Sequence, residues 1–309
     1  MSNSDPSPKI GLALGSGASR GWSHIGIIKA LLREGIEPDI VCGTSVGAMI
    51  GSSYLVGKLG YLENWVLGST RKDVLSFFKV QLTGSGFVDK GRLKRFLNQY
   101  SAGEEHLIEN LPKPFAAVAT DLGNGREVWF QDGGLTEAIS ASMALPGLFP
   151  AVRHHHRWLV DGGLVNPVPV STCRALGADI VIAVNLNSDV IGRHEQRKSQ
   201  PPPAKKKGVL RNLKQTTLEY SSSILPDSDK QDGAPGLFAS ITSSINIVQD
   251  RITRSRMAGD PAEIVISPRL AHIGLLEFHR AAEAIEEGEA CVQTAMKDIR
   301  KLTGDDEET

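Results

Sequence analysis

Ser45 lies in Gly43-Thr44-Ser45-Val46-Gly47, between the apolar run Ile40-Val41-Cys42 and a helix-like stretch at 48–56. Gly-x-Ser-x-Gly between a strand and a helix forms a nucleophile elbow, a tight turn that lifts the serine hydroxyl out at a helix N-terminus. The flanking glycines leave room for the bend and for an approaching substrate. A serine so placed performs acyl transfer when it has a proton acceptor and donors for the oxyanion of the tetrahedral intermediate. The segment Gly15-Ser-Gly-Ala-Ser-Arg-Gly21, also between a strand and a helix, offers backbone N–H donors assisted by the helix dipole. A dinucleotide-binding Gly-x-Gly-x-x-Gly is the competing reading of that loop. It fails at the third glycine, where Arg20 stands.

The proton acceptor is open between two kinds of residue. Histidines follow the serine at His106, His154, His155, His156, His194, His272 and His279, as a Ser-acid-His hydrolase requires. None has a context that marks it out, and His154-His155-His156 also reads as a surface turn between Phe149 and Trp158. Such a hydrolase also places its elbow after several strands, whereas a single clear strand precedes this one. Asp161 closes the apolar run Trp158-Leu-Val160 and is followed by Gly162 and Gly163, which suits a carboxylate aimed into a site while the backbone turns past it. The same residues also make an ordinary Asp-Gly-Gly turn. Leu148, Phe149 and Val152, just upstream, suit equally a core and the walls of a dry cleft, where a carboxylate becomes a better base.

The elements that carry these residues follow from periodicity. Residues 9–14 predict a buried strand and 22–34 a helix whose Ile25, Ile28, Leu31 and Leu32 make one apolar face, with Gly35 as its terminator. A strand at 39–42 then delivers the elbow, giving a β-α-β-α opening with parallel strands and both glycine-rich loops at strand C-terminal ends, where open α/β sheets bind ligands. Residues 61–100 predict helices interrupted at Gly84-Ser-Gly86; 115–119 and 127–130 a hairpin; 135–144 a helix; 158–160 a strand. A helix at 170–176, a strand at 179–186, a helix at 237–257, a strand at 263–266 and a helix at 277–301 complete the pattern. Between 189 and 235 a proline run, Lys205-Lys-Lys207 and a serine cluster predict a mobile insertion in the single hydrolase domain 9–303, while 1–8 and 304–309 read as disordered ends.

A chain of 309 residues with 40% apolar content buries a full core. Its formal net charge of −1 gives no reason to expect nucleic acid. Cys42, Cys173 and Cys291 suggest neither a disulfide framework nor a zinc site, and Cys42 reads as strand core. No run is long and apolar enough to span a bilayer, so any membrane contact is expected to be peripheral, and a cytoplasmic location is expected.

The loop 15–21, the following Trp22-Ser-His-Ile-Gly26, the elbow 43–47, Ala141-Ser-Met-Ala-Leu-Pro-Gly-Leu-Phe-Pro150 and Asp161-Gly-Gly-Leu-Val-Asn-Pro-Val-Pro169 together resemble the patatin-like phospholipases, in particular their compact bacterial members. The resemblance covers most of the chain outside the insertion. It implies an α/β fold, a three-layer α/β/α sandwich with a central, mostly parallel sheet. It further implies a Ser45–Asp161 dyad, the amides of Gly17 and Ala18 as oxyanion hole, a lipid ester as substrate, and neither metal nor cofactor. Gly15, Gly21, Gly43, Gly47, Gly162 and Gly163 match the motif positions, and Arg20 matches the family's basic position. Ser16 and Ala18 stand where many members carry glycine, and alanine keeps its N–H. An acyltransferase using the same elbow, and a weakly active regulatory or protein-binding member of the fold, are the alternatives. Oligomeric state is not readable from the residues.

Overall fold

The computed structural model describes residues 7–77, 90–189 and 237–303. Residues 190–235 of the expected insertion, the terminal segments 1–6 and 304–309, and the helix break at 84–86 lie outside the described residues. The opening unit comprises β1 (Ile10–Leu14), α1 (Ser23–Arg33), β2 (Ile40–Thr44) and α2 (Val46–Leu55). Three helices follow, α3 (Leu59–Gly68), α4 (Arg71–Phe77) and α5 (Lys90–Tyr100), then the hairpin β3 (Phe115–Asp121) and β4 (Glu127–Phe130). After α6 (Leu135–Ser142) come β5 (Val152–His154), β6 (Arg157–Asp161), α7 (Val170–Ala175) and β7 (Ile180–Val184), then α8 (Leu237–Gly259), β8 (Ile264–Ile266) and α9 (Ala281–Thr303). The predicted boundaries hold within a few residues. The first helix starts one residue later than expected because the loop first winds a 3-10 turn at Ala18–Trp22. The unexpected β5 ends on His154 and leaves His155 and His156 as the bend of a hairpin, with His155 at φ 50°.

The described strands form one eight-stranded sheet with neighbours β5-β6-β3-β2-β1-β7-β8, and β4 pairs β3. Pairings from β8 to β3 are parallel, whereas β4 and β6 run antiparallel to β3. Strand alternation sorts the core. Leu12, Leu14, Val41, Phe115, Ile182 and Val184 face the side packed by α1, α2 and α9, and Ala13, Cys42, Ala116 and Ala183 face α7 and the end of α8. Helices cover both faces, making the three-layer α/β/α sandwich. α1 and α9 approach at glycines: a Cβ on Gly26 would strike the Ile285 carbonyl, and one on Gly288 the Ser23 carbonyl.

The register of β3 positions the site. β4 pairs Ala117 to Thr120 and β6 pairs Ala119 to Asp121, so these two occupy opposite edges of β3. β2 pairs Phe115 to Val118, overlapping β4, and therefore shares the edge used by β6. β2 and β6 consequently run toward each other along one edge. They end on successive rungs, Thr44 beside Val118 and Asp161 beside Ala119. No described helix is long and apolar enough to cross a membrane.

Candidate active site

Ser45 is the single residue between β2 and α2, held at φ 58°, ψ −124°. A non-glycine backbone there costs roughly 1–3 kcal/mol and persists where the surroundings over-determine it. Those surroundings are tight: a Cβ on Gly43 would strike Ala48, and one on Gly47 the Leu14 carbonyl. The Ser45 N–H donates to Ser142 Oγ at 2.8 Å, and Ser142 Oγ donates to the Val118 carbonyl at 2.6 Å. The elbow is thereby tied to β3 through α6.

The head-to-head strands bring the serine hydroxyl to Asp161, with Ser45 Oγ donating to Oδ2 at 2.6 Å. The other carboxylate oxygen, Oδ1, accepts the Gly163 N–H at 2.7 Å, and Thr120 Oγ1 donates to the Asp161 carbonyl at 2.8 Å. Asp161 is 1% exposed. Burial pushes its pKa up to about 6, against the hydrogen bonds from Ser45 and Gly163, which favour the ionised form. A Cβ on Gly162 would meet the Val118 carbonyl, and one on Gly163 would crowd Gln249, Asp161 and Ser16.

The glycine-rich loop arches over the same point. Its Gly15, Ser16, Ser19 and Arg20 amides donate to the carbonyls of Val184, Pro167, Leu275 and Gly17. Among the described residues, the Gly17 and Ala18 amides have no hydrogen-bond partner. Ala18 sits at φ 49°, left-handed backbone, and lines the same cavity as Ser45. Gly21 packs against Val46 on α2, where a Cβ would clash. Arg20 is buried, donating through Nε to the Gly17 carbonyl at 3.3 Å and through its terminal nitrogen to Asn246 Oδ1 at 3.2 Å. Desolvation lowers its pKa to about 10, and Asp189 partly offsets that.

Three of the candidate histidines are engaged elsewhere: His106 accepts from the Gly103 amide, His154 pairs with Glu137, and His272 with Glu283. His194 lies outside the described residues. His24 was not singled out by the sequence reading. It is fully buried, its Nε2 2.8 Å from the Gly15 carbonyl, and desolvation lowers its pKa to about 4. Facing a carbonyl, Nε2 carries the hydrogen of a neutral ring. Ser142 also went unread, although with Leu135, Ala138 and Ile139 it falls on the buried face of α6, where a serine needs a polar partner.

Ser45 opens on a narrow apolar cavity of about 60 Å³, walled by residues that include Ala18, Met49, Trp65, Phe96, Leu148 and Phe149. Leu148 and Phe149 are thus buried and also line the site. Val152 lies instead on β5, facing a separate groove. Among the described residues no group of three or more His, Cys, Asp or Glu side chains is arranged to hold a metal ion. A serine bonded to a buried carboxylate, beside unengaged amides and an apolar cavity, has the parts for acyl transfer.

A family model described as patatin-like phospholipase matches residues 12–174. An uncharacterised NTE family protein of Mycobacterium bovis is 30% identical, across 94% of this chain and 92% of its own length. The lysophospholipase nte1 of Emericella nidulans is 31% identical over 194 residues, covering 58% of this chain and 12% of the fungal protein. Among solved structures, VipD from Legionella pneumophila aligns with a TM-score of 0.47 at 16% identity, covering 97% of this chain and 67% of that one. The family model spans the loop, the elbow and Asp161, and the mycobacterial relative extends the match over nearly the whole sequence: the chain belongs to the patatin-like phospholipase family.

Proposed function

We propose that the protein is a serine carboxylic ester hydrolase that cleaves fatty acyl esters of phospholipids, lysophospholipids or related lipid esters through an acyl-enzyme on Ser45. The observation that carries the reading is the 2.6 Å bond from Ser45 Oγ to Asp161 Oδ2 at the mouth of an apolar cavity. The family's description as phospholipases and the name of the fungal relative support a lipid substrate.

Ser45 Oγ attacks the ester carbonyl carbon while its proton passes to Asp161 Oδ2. The carbonyl oxygen, now an oxyanion, is stabilised by the Gly17 and Ala18 amides; losing one such donor typically costs about a hundred- to a thousandfold in rate. Collapse of the intermediate breaks the bond to the alcohol oxygen, which leaves with the proton from Asp161. Water then attacks the acyl-serine, giving its proton to Asp161, and release of the fatty acid returns that proton to Ser45. An aspartate with a pKa near 6 is a better base than an exposed one and still ionised at neutral pH. The cavity wall receives the acyl chain.

The test is labelling with an alkyl fluorophosphonate, peptide mapping, and hydrolysis of lysophospholipid by wild type, Ser45→Ala and Asp161→Asn. Labelling at Ser45 and loss of at least a thousandfold in turnover in both variants are expected. Undiminished hydrolysis by folded Ser45→Ala would overturn the assignment.

A further inference from the structure

The apolar cavity does not end against solid core everywhere. On one side Trp65 closes it, backed by Phe96 and Tyr100 with ring centroids at 4.8 and 5.2 Å. Tyr100 is anchored to α2, since its carbonyl accepts from Ser53 Oγ. Ser53 lies eight residues beyond Ser45, about 12 Å along a helix that rises 1.5 Å per residue. Trp65, Phe96 and Tyr100 thus form one packed aromatic cluster on that side.

The other side differs. A second depression, an open groove of about 500 Å³, has Leu93, Pro150 and Val152 among its lining and a polar rim that includes Lys94, Glu104 and Arg153. Lys94 and Glu104 pair at 3.0 Å, and the Arg153 guanidinium lies 6.0 Å from the Trp158 ring centre. Among the described residues, Leu93 alone lines both the cavity and the groove. It is 6% exposed and projects from α5 between them. Residues 149 and 150 repeat the division, with Phe149 lining the cavity and Pro150 the groove.

We propose that Leu93 is the wall that sets acyl-chain length, and that the groove beyond it holds the distal methylenes of a longer chain once that wall is cut back. This rests on the reading of the site as an acyl-ester hydrolase. With Leu93 in place the cavity admits a short or medium chain. Removing its isobutyl group joins the cavity to a groove whose apolar floor and polar rim fit an aliphatic tail running along a wet surface. Leu93 is the one described residue that the two linings share, so the change acts at the boundary between cavity and groove.

The test compares kcat/KM for 4-nitrophenyl esters from four to sixteen carbons across wild type, Leu93→Ala and Leu93→Phe. C8 and C16 alkyl fluorophosphonates, mapped to Ser45, supply a readout independent of turnover. Wild type should favour the shorter chains. Leu93→Ala should raise the C16-to-C8 ratio about tenfold or more in both assays, and Leu93→Phe should lower it, on the scale by which hydrophobic pockets discriminate chain length. A Leu93→Ala protein that labels at Ser45 as fast as wild type yet keeps its chain-length profile overturns the inference while leaving the hydrolase reading standing. Wild type that neither labels nor hydrolyses any of the esters overturns the hydrolase reading, and this inference with it.

Discussion

Two buried titratable groups, Asp161 and His24, pull the pH dependence of this protein in opposite directions. Asp161 has a folded-state pKa of about 6 against 3.8, so between those values the folded protein binds this proton more tightly than the unfolded chain. Its contribution to stability therefore falls as pH rises from 3.8 to about 6 and stays low above that. His24 is held at about 4 against 6.5, so the unfolded chain takes up its proton first and stability falls as pH drops from about 6.5 to about 4. The two nearly cancel between pH 4 and 6. Asp161→Asn removes only the first, so it should melt higher than wild type at pH 8, by about 2 to 4 °C for each kcal/mol gained, with the difference fading toward pH 4. Calorimetry across pH checks this; an equal shift at both ends would contradict it. On the proposed mechanism the base is the ionised carboxylate, so kcat/KM should rise about tenfold per pH unit below about 6 and level off above it. A profile flat down to pH 4 would remove Asp161 as the base.

At the level of elements, β3 acts as a ruler on which two other strands are measured. The sequence made the Gly-x-Ser-x-Gly elbow and the Asp-Gly-Gly turn legible because each is a local backbone requirement written in glycine. Their meeting was not legible from spacing, since it depends on which edge of β3 each strand takes, and pairing register leaves no mark in a single strand. The same holds for Ser142, which reads as one more small residue on a helix until its hydrogen bond to the Ser45 amide is seen. Ser142→Ala should leave the fold intact and slow fluorophosphonate labelling of Ser45 by about tenfold, because the strained amide loses an acceptor worth about 1–1.5 kcal/mol; unchanged labelling would show the elbow to be held by packing alone. The helix pair α1 and α9 offers a contest of sign. Alanine at position 288 gains about 1 kcal/mol of helix propensity over glycine, yet its Cβ would meet the Ser23 carbonyl. Backbone overpacking of this kind typically costs about 1–3 kcal/mol, so Gly288→Ala should destabilise on balance in urea titrations, and a stabilised variant would refute the close approach.

Across the whole molecule, the sheet is lopsided in a way that serves the site. Small side chains, Ala13, Cys42, Ala116 and Ala183, let α7 and the end of α8 lie close on one face, while the other carries the larger helical mass around the cavity. The fold class was readable because strand and helix periodicities alternate; Leu93's place between two cavities was not, because α5 shows only an ordinary amphipathic stripe. The strand meeting on β3 has a bearing on how the protein is made. Ser45 and Asp161 are 116 residues apart in the chain, so a nascent polypeptide that has completed the elbow carries a serine without its carboxylate partner. On the proposed mechanism the hydroxyl becomes reactive only when β6 docks. Acquisition of fluorophosphonate reactivity during refolding should therefore lag behind the recovery of helical circular dichroism, as closure of a long loop follows local order. Reactivity that returned with the helices would mean the serine is activated without β6. On that mechanism an unfinished copy is a harmless one: a chain interrupted before its second half has the nucleophile but cannot begin cleaving esters.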